Sequence, residues 1–290
     1  VLFAHGFNER RNNIFRVRDL EKKINNYFDV DYSLATTSGT MAQYIAMKAM
    51  GIGPGDEVIT QSFTFVATIE TIISLGATPI IVDINETFNM DPVELERVIT
   101  KKTKLIIPVH MLGNQCMMDE INLIGKKYNI PVMEDACEGL GGSYKGKLLG
   151  TLSEVGVFSL DFGKTITTGE GGLILTNNQL LHKTSKEFHD HGHECNVNLP
   201  RGLDTRSEIG LNLRMTEMQA AVGIAQLKKL DYIVKKNREN KRILKNQINN
   251  SKIIFRKIVD EDGDLADTLI FYFEDKKNCK LFLKRYEEHG

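Results

Sequence analysis

Residues 155–176 read VGVFSLDFGKTITTGEGGLILT. The stretch opens on an apolar run, Val155 to Leu160, and places a lysine just past its end. It then returns through a Gly-Glu-Gly-Gly turn into a second apolar run. Short continuous apolar runs bounded by glycines read as strands buried on both faces. Upstream, Val58 to Gln61, Pro79 to Ile84, Leu105 to Val109 and Val132 to Asp135 have the same character. Helical patterns lie between them, at Ala67 to Leu75, Pro92 to Ile99 and Met118 to Tyr128. Asp91 followed by Pro92 reads as an N-cap with proline at the first helical position. Strands alternating with helices predict an α/β fold, a mostly parallel sheet sandwiched by helices.

Beyond Gly210 the pattern changes to one long helical stretch, Thr216 to Asn249, with apolar positions at Met218, Val222, Ala225, Leu227 and Leu230. Its later half, KKNRENKRILKNQINN, is polar around most of its circumference. Lys252 to Gly290 reads as strand, acidic turn (Asp260 to Asp267), strand and helix (Lys276 to His289). The expected division is a large domain over residues 1–235. Residues 236–290 would start a smaller C-terminal α/β domain that the chain leaves truncated.

A formal net charge of -1 in 290 residues gives no general attraction to nucleic acid or anionic membrane. No apolar run approaches the roughly 20 residues that span a bilayer, and the opening VLFAHGFNERRNN lacks a signal-peptide core. A cytoplasmic protein is expected. Cys116, Cys137, Cys195 and Cys279 form no CxxC pair, so neither a zinc cluster nor a disulfide framework is predicted.

An ammonium at the edge of a low-dielectric site has a lowered pKa and can attack a carbonyl, which singles out Lys164. A lone loop lysine is more commonly just solvated, so the other residues decide. Asp135 in PVMEDAC ends an apolar strand, where open α/β sheets present ligand-binding groups, although many strand-end aspartates are structural. Ser38-Gly39-Thr40 opens a helix, Met41 to Met50, whose first N–H groups suit a phosphate. Ser159, five residues before Lys164, offers a hydroxyl to the same phosphate. Amine, carboxylate and phosphate seat are together the needs of pyridoxal phosphate.

In the order SGT, SFTFVAT, EDAC, FSLDFGKTITTGEGG and GLNLRMTEMQAAVG, the sequence resembles the DegT/DnrJ/EryC1/StrS sugar aminotransferases almost from end to end. Those are pyridoxal-phosphate enzymes of the aspartate-aminotransferase fold. The resemblance implies Lys164 as the Schiff-base lysine and Asp135 as partner of the pyridine nitrogen. It also implies Gly39, Thr40 and Ser159 as phosphate-binding positions and Phe65 as the aromatic against the ring. Glu138 stands where the family commonly has His or Gln near the phenolic oxygen, and Gln61 where many members have proline. Asn212 matches an asparagine that reaches the phosphate of a neighbouring subunit, so a homodimer with shared sites is implied. Members usually continue well past the equivalent of Gly290.

The histidines of HDHGHE, His189 to Glu194, would share one face of a strand, but Gly192 and the preceding helix favour a loop, and no metal is expected. Arg201 and Arg206 in PRGLDTR are candidate contacts for a substrate carboxylate or phosphate. The resemblance implies amino transfer from an amino acid, L-glutamate by likeness, to a keto- or aldehydo-sugar. LDFGKTITTGEGG, PVHMLG, HDHGHE and PRGLDTR are most similar to a subgroup acting on 8-oxo-3,8-dideoxy-octulosonate; a nucleotide-linked keto-sugar is the broader alternative. A sugar 3-dehydratase would carry His in place of Lys164, and a catalytically silent relative would have no need of the set Lys164, Asp135 and Ser159.

Overall fold

The structure, a computed structural model, describes residues 15–194, 196, 199, 203–206, 208–248 and 253–289. In chain order its elements are α1 (Arg16–Phe28), β1 (Tyr32–Thr36), α2 (Gly39–Ala49), β2 (Glu57–Gln61), α3 (Val66–Ser74), β3 (Thr78–Val82), α4 (Pro92–Val98) and β4 (Thr103–Ile107). There follow α5 (Met118–Tyr128), β5 (Met133–Asp135), the small hairpin β6 (Ser143–Tyr144) and β7 (Lys147–Leu148), β8 (Val155–Ser159), β9 (Gly172–Thr176) and α6 (Gln179–His189). The chain ends with α7 (Glu217–Leu227), α8 (Leu230–Ile248), β10 (Ile254–Phe255), β11 (Phe271–Tyr272) and α9 (Lys276–His289).

Strands β3-β2-β4 pair in parallel, and β1-β9-β8-β5 form a second run. Parallel bridges Ile106–Val132 and Val109–Asp135 join β4 to β5, so the order across the whole sheet is β3-β2-β4-β5-β8-β9-β1. Only β9 runs against its neighbours. The sheet is therefore mixed but mostly parallel, as expected of the α/β class.

Strand side chains alternate between two cores, as the period of two requires. Ala35, Ile59, Ile106, Phe158, Leu173 and Leu175 pack with α1, α4, α5 and α7. Their neighbours Leu34, Val58, Leu105, Ile107, Val157 and Ile174 pack with α2, α3 and α6. Helix starts are specified locally. Asp91 accepts from the Val93 amide at 2.9 Å ahead of Pro92. Thr216 and Gln219 form a reciprocal capping box at α7. Glu217, the first residue of α7, accepts from the Arg16 amide at 2.5 Å and the Val17 amide at 3.4 Å, so one helix caps the start of another.

One expectation is corrected. The long helix expected over Thr216 to Asn249 is two helices, broken at Lys228 and Lys229, where the Lys229 amide turns back to the Gln226 carbonyl at 2.8 Å. The break lets Leu230 and Val234 pack over Gly141 while α7 lies against α1. Of the apolar positions read on that helix, Met218 and Val222 are exposed, and Ala220 and Gly223 face the core instead. Within the expected acidic turn, Glu261 and Asp262 are exposed. Gly263 to Ala266 are buried, and Asp264 pairs with the half-charged face of α8 through Lys241. The expected division after residue 235 falls inside α8.

Phe158, fully buried, lies 5.2 Å from the Phe28 ring. Phe158→Ala is expected to destabilise the chain by about 3–5 kcal/mol, the usual cost of deleting a buried phenylalanine; urea unfolding measures it.

Candidate functional site

β5 carries two carboxylates in succession, and alternation sends them to opposite faces of the sheet. Glu134, fully buried, accepts from His110 Nε2 at 3.0 Å, the Gly150 amide at 2.7 Å, the Leu152 amide at 2.7 Å and Ser153 Oγ at 3.1 Å. His110 Nδ1 in turn accepts from the Cys116 amide at 3.1 Å, so the imidazole proton lies on Nε2 and points at Glu134. That carboxylate is structural.

Asp135, 3% exposed, faces α2 and α3. Its Oδ2 accepts from Gln43 Nε2 at 2.8 Å and Thr68 Oγ1 at 2.8 Å, while Oδ1 accepts from the Cys137 amide at 3.2 Å. Gln43 and Thr68 were not singled out from sequence. The available signal was a glutamine at a core-facing position of an otherwise apolar helix, and a buried glutamine needs a partner. Burial, with the Asp135 charge adding, holds the Cys137 thiol well above its ordinary value.

Ser38, the N-cap of α2, accepts from the Met41 amide at 3.1 Å. Gly39 and Thr40 therefore occupy the first turn of α2, whose leading N–H groups have no acceptor within the helix. A Cβ on Gly39 would stand 2.7 Å from Ser159 Cβ, so only glycine lets the helix start sit against the end of β8. Ser159 Oγ accepts from the Asp161 amide at 3.2 Å, which leaves its proton to donate elsewhere. A helix N-terminus and a hydroxyl thus meet at one strand end, as an anion requires.

Lys164 lies on the loop between β8 and β9. Its Nζ is 3.4 Å from Glu138 Oε1, with both side chains about one-fifth exposed. The other oxygen of Glu138 accepts from the Leu112 amide at 2.9 Å. Leu112 is held in the left-handed region at φ 51° within the turn 111–113. Arg256, buried beneath that turn, donates to the carbonyls of Met111 at 2.8 Å and Thr87 at 2.6 Å. Burial pulls its pKa down to about 10. The segment around β10 thereby supports the backbone that positions Glu138.

Phe65 is the N-cap residue of α3 and is 61% exposed; it stands one turn before Thr68. Asn212 is exposed and bridges Asp190 through its backbone. In HDHGHE, His189 ends α6 with Nδ1 on the Lys186 carbonyl, His191 has φ 59°, and His193 pairs with Asp204 at 2.9 Å. No group of three metal-ligating side chains gathers among the described residues. Arg201 and Cys195 lie outside the described residues.

A buried strand-end carboxylate, a half-buried lysine and a phosphate-sized helix start, on this sheet order, define an α/β protein of the fold type I shared by pyridoxal-phosphate enzymes. The chain belongs to the DegT/DnrJ/EryC1/StrS aminotransferase family, which residues 12–290 match. It is 42% identical over 214 residues to GDP-perosamine synthase of Caulobacter vibrioides, covering 73% of this chain and 56% of that protein. It is 41% identical over 213 residues to UDP-2-acetamido-2-deoxy-3-oxo-D-glucuronate aminotransferase of Pseudomonas aeruginosa, covering 73% and 57%. Among solved structures, NtdA of Bacillus subtilis with bound cofactor PMP superposes with a TM-score of 0.81 at 31% identity, over 95% of this chain and 62% of that one. The chain spans about three fifths of the length of the curated relatives it matches.

Removing one donor from Asp135 should be felt throughout the site. Thr68→Val is expected to cost about 1.5–3 kcal/mol, the value of a hydrogen bond to a charged group. In a double-mutant cycle with Asp135→Ala the loss should vanish, and additive losses would show that Thr68 acts elsewhere.

Proposed function

We propose that the chain is a pyridoxal-phosphate-dependent sugar aminotransferase. The observation that carries this is the Asp135 carboxylate, buried with Oδ2 held by Gln43 and Thr68, in the same site as Lys164 and the Gly39–Ser159 contact. The residues fit the cofactor's needs. Gly39, Thr40 and Ser159 would hold its phosphate, Asp135 its pyridine nitrogen, Glu138 would lie toward its phenolic side, and Phe65 would cover the ring. When bound, the cofactor supplies an electron sink for the carbanion formed at the amino donor's Cα.

The protein's own part is positioning and proton movement. Lys164 would hold the cofactor through its amine, and once freed that amine would carry a proton between the donor's Cα and the cofactor's C4′. Glu138, 3.4 Å from Nζ, aims the amine; its second oxygen is already committed to the Leu112 amide. Asp135 would hold the ring nitrogen protonated, a task that a carboxylate performs and an amide does not.

The donor is an amino acid, L-glutamate by family likeness. For the acceptor, both named relatives support a nucleotide-linked keto-sugar. A second reading, 8-oxo-3,8-dideoxy-octulosonate, rests on the likeness of LDFGKTITTGEGG, PVHMLG, HDHGHE and PRGLDTR. We further infer a homodimer with shared sites, in which Asn212 reaches the partner's phosphate. The exposed apolar side chains Met218, Val222 and Ile209 favour such a covered face. The division near residue 235, with α8 as connecting rod, belongs to the same reading. No helix among the described residues is long and apolar enough to cross a membrane.

Borohydride reduction and peptide mapping should find the cofactor on Lys164, and Lys164→Ala should abolish amino transfer in a chain that still folds. A label on another lysine would overturn the assignment. Asp135→Asn should retain the cofactor yet lose at least about 100-fold in single-turnover rate with L-glutamate, the low end of a general acid–base contribution. Verified heterodimers of Lys164→Ala and Asn212→Ala chains should regain activity at limiting cofactor if the site is shared, and none if Asn212 serves its own chain.

A further inference from the structure

Leu112, at φ 51°, holds a left-handed conformation that a residue with a Cβ disfavours. Such a conformation persists only where its surroundings fix it, and here the C-terminal segment fixes both of its neighbours. Arg256 Nη2 donates to the Met111 carbonyl at 2.8 Å and to Asn89 Oδ1 at 3.2 Å. That same Asn89 oxygen accepts from the Met111 amide at 3.2 Å, so residue 111 is held by its N–H and its C=O together. On the other side, the Gly113 carbonyl accepts from the Leu265 amide at 3.2 Å. Phe88, at φ 58°, is likewise preceded by a carbonyl that Arg256 holds, that of Thr87 at 2.6 Å.

The Met111 carbonyl and the Leu112 N–H are the two ends of one planar trans peptide group. Arg256 grips the oxygen end, and Glu138 Oε2 accepts from the nitrogen end at 2.9 Å. Glu138 Oε1 in turn stands 3.4 Å from Lys164 Nζ. A planar unit cannot yield at one end without moving the other, and each hydrogen bond in such a series polarises the next. The Met111 carbonyl has one further donor, the Asn114 amide, at the longer distance of 3.4 Å. Without Arg256 the peptide is freer to rotate and to turn the Leu112 N–H away from the carboxylate.

Stability alone does not account for the arginine. Arg256 is 5% exposed, and its acceptors are the Thr87 and Met111 carbonyls and the Asn89 amide oxygen, none of them charged. A buried cation held by neutral acceptors carries a desolvation cost that an apolar side chain of similar length would not. We propose that Arg256 is a positioning residue for the amine of Lys164, acting through the Met111–Leu112 peptide and Glu138. Its role rests on the sugar-aminotransferase reading, in which Lys164 carries the cofactor.

The full chain, with and without pyridoxal phosphate, tests this through Arg256→Met, Arg256→Lys, Glu138→Ala and the pair Arg256→Met with Glu138→Ala. Without cofactor, hydrogen exchange of the Leu112 amide, read by NMR on leucine-labelled chains, should quicken about 10-fold or more in Arg256→Met, while the leucine amides of β9 stay protected. With cofactor, the visible circular-dichroism band, which reports how the ring is set in its site, should change in Arg256→Met. The single-turnover rate with L-glutamate should fall about 10-fold or more, as for a lost charged hydrogen bond, with the half-saturating donor concentration nearly unchanged. Arg256→Lys, which keeps a donor for the Met111 carbonyl, should lose less. In the Glu138→Ala background, Arg256→Met should alter rate and band no further, because the series no longer ends on a carboxylate. The positioning role is overturned if Arg256→Met leaves Leu112 exchange and the band unchanged, or if its loss adds in full to that of Glu138→Ala. If Arg256→Met fails to fold, Arg256→Lys carries the same comparisons. A normal band in the unmodified chain with no effect of Arg256 overturns this role alone, whereas no band in the unmodified chain overturns the parent reading.

Discussion

Two adjacent carboxylates on β5, Glu134 and Asp135, set the constraints from which the rest of the molecule follows. Both are buried, and an ionised group away from water has to be surrounded by donors. Glu134 meets that demand by fastening the loop at Gly150 to Ser153 and the His110 ring to one face of the sheet. Asp135 meets it by drawing Gln43 of α2 and Thr68 of α3 to the other face. The donors of Asp135 thus fix the two helices whose first turns carry Gly39, Thr40 and Phe65. Stability and site geometry rest on the same hydrogen bonds.

From that anchor the support extends outward in a physically continuous chain. The turn at Met111 to Gly113 holds Glu138 by the Leu112 amide, and Arg256 holds the turn by the Met111 carbonyl. The C-terminal segment therefore reaches Glu138 indirectly, the Arg256 side chain holding the turn whose backbone amide holds the carboxylate. At the opposite end, Arg214 bridges Thr36 and the Leu213 carbonyl accepts from the Thr37 amide, beside the helix start that suits a phosphate.

The membership of the family and the mostly parallel α/β sheet were legible because their signals are local. Buried parallel strands show as continuous apolar runs, and the lysine, threonines and glycines after β8 lie in one unbroken stretch. The break between α7 and α8 was not legible. KKL at Lys228 to Leu230 carries no proline or glycine, and the helix ends there because Leu230 finds Gly141, which is distant in sequence. The acidic turn at Asp260 to Asp267 was legible as a turn, but not the ion pair of Asp264 with Lys241 of α8, a partner that composition does not reveal.

Residue types and their order determined which groups this protein has for chemistry: one lysine past a buried strand, one strand-end aspartate, small residues at a helix start and a carboxylate at Glu138. Tertiary structure alone decided what those groups meet. It chose Gln43 and Thr68 as the donors of Asp135 and set Glu138 at 3.4 Å from Lys164. Propensity and periodicity act over a few residues, whereas satisfying a buried charge recruits any donor that the packed sheet brings within about 3 Å.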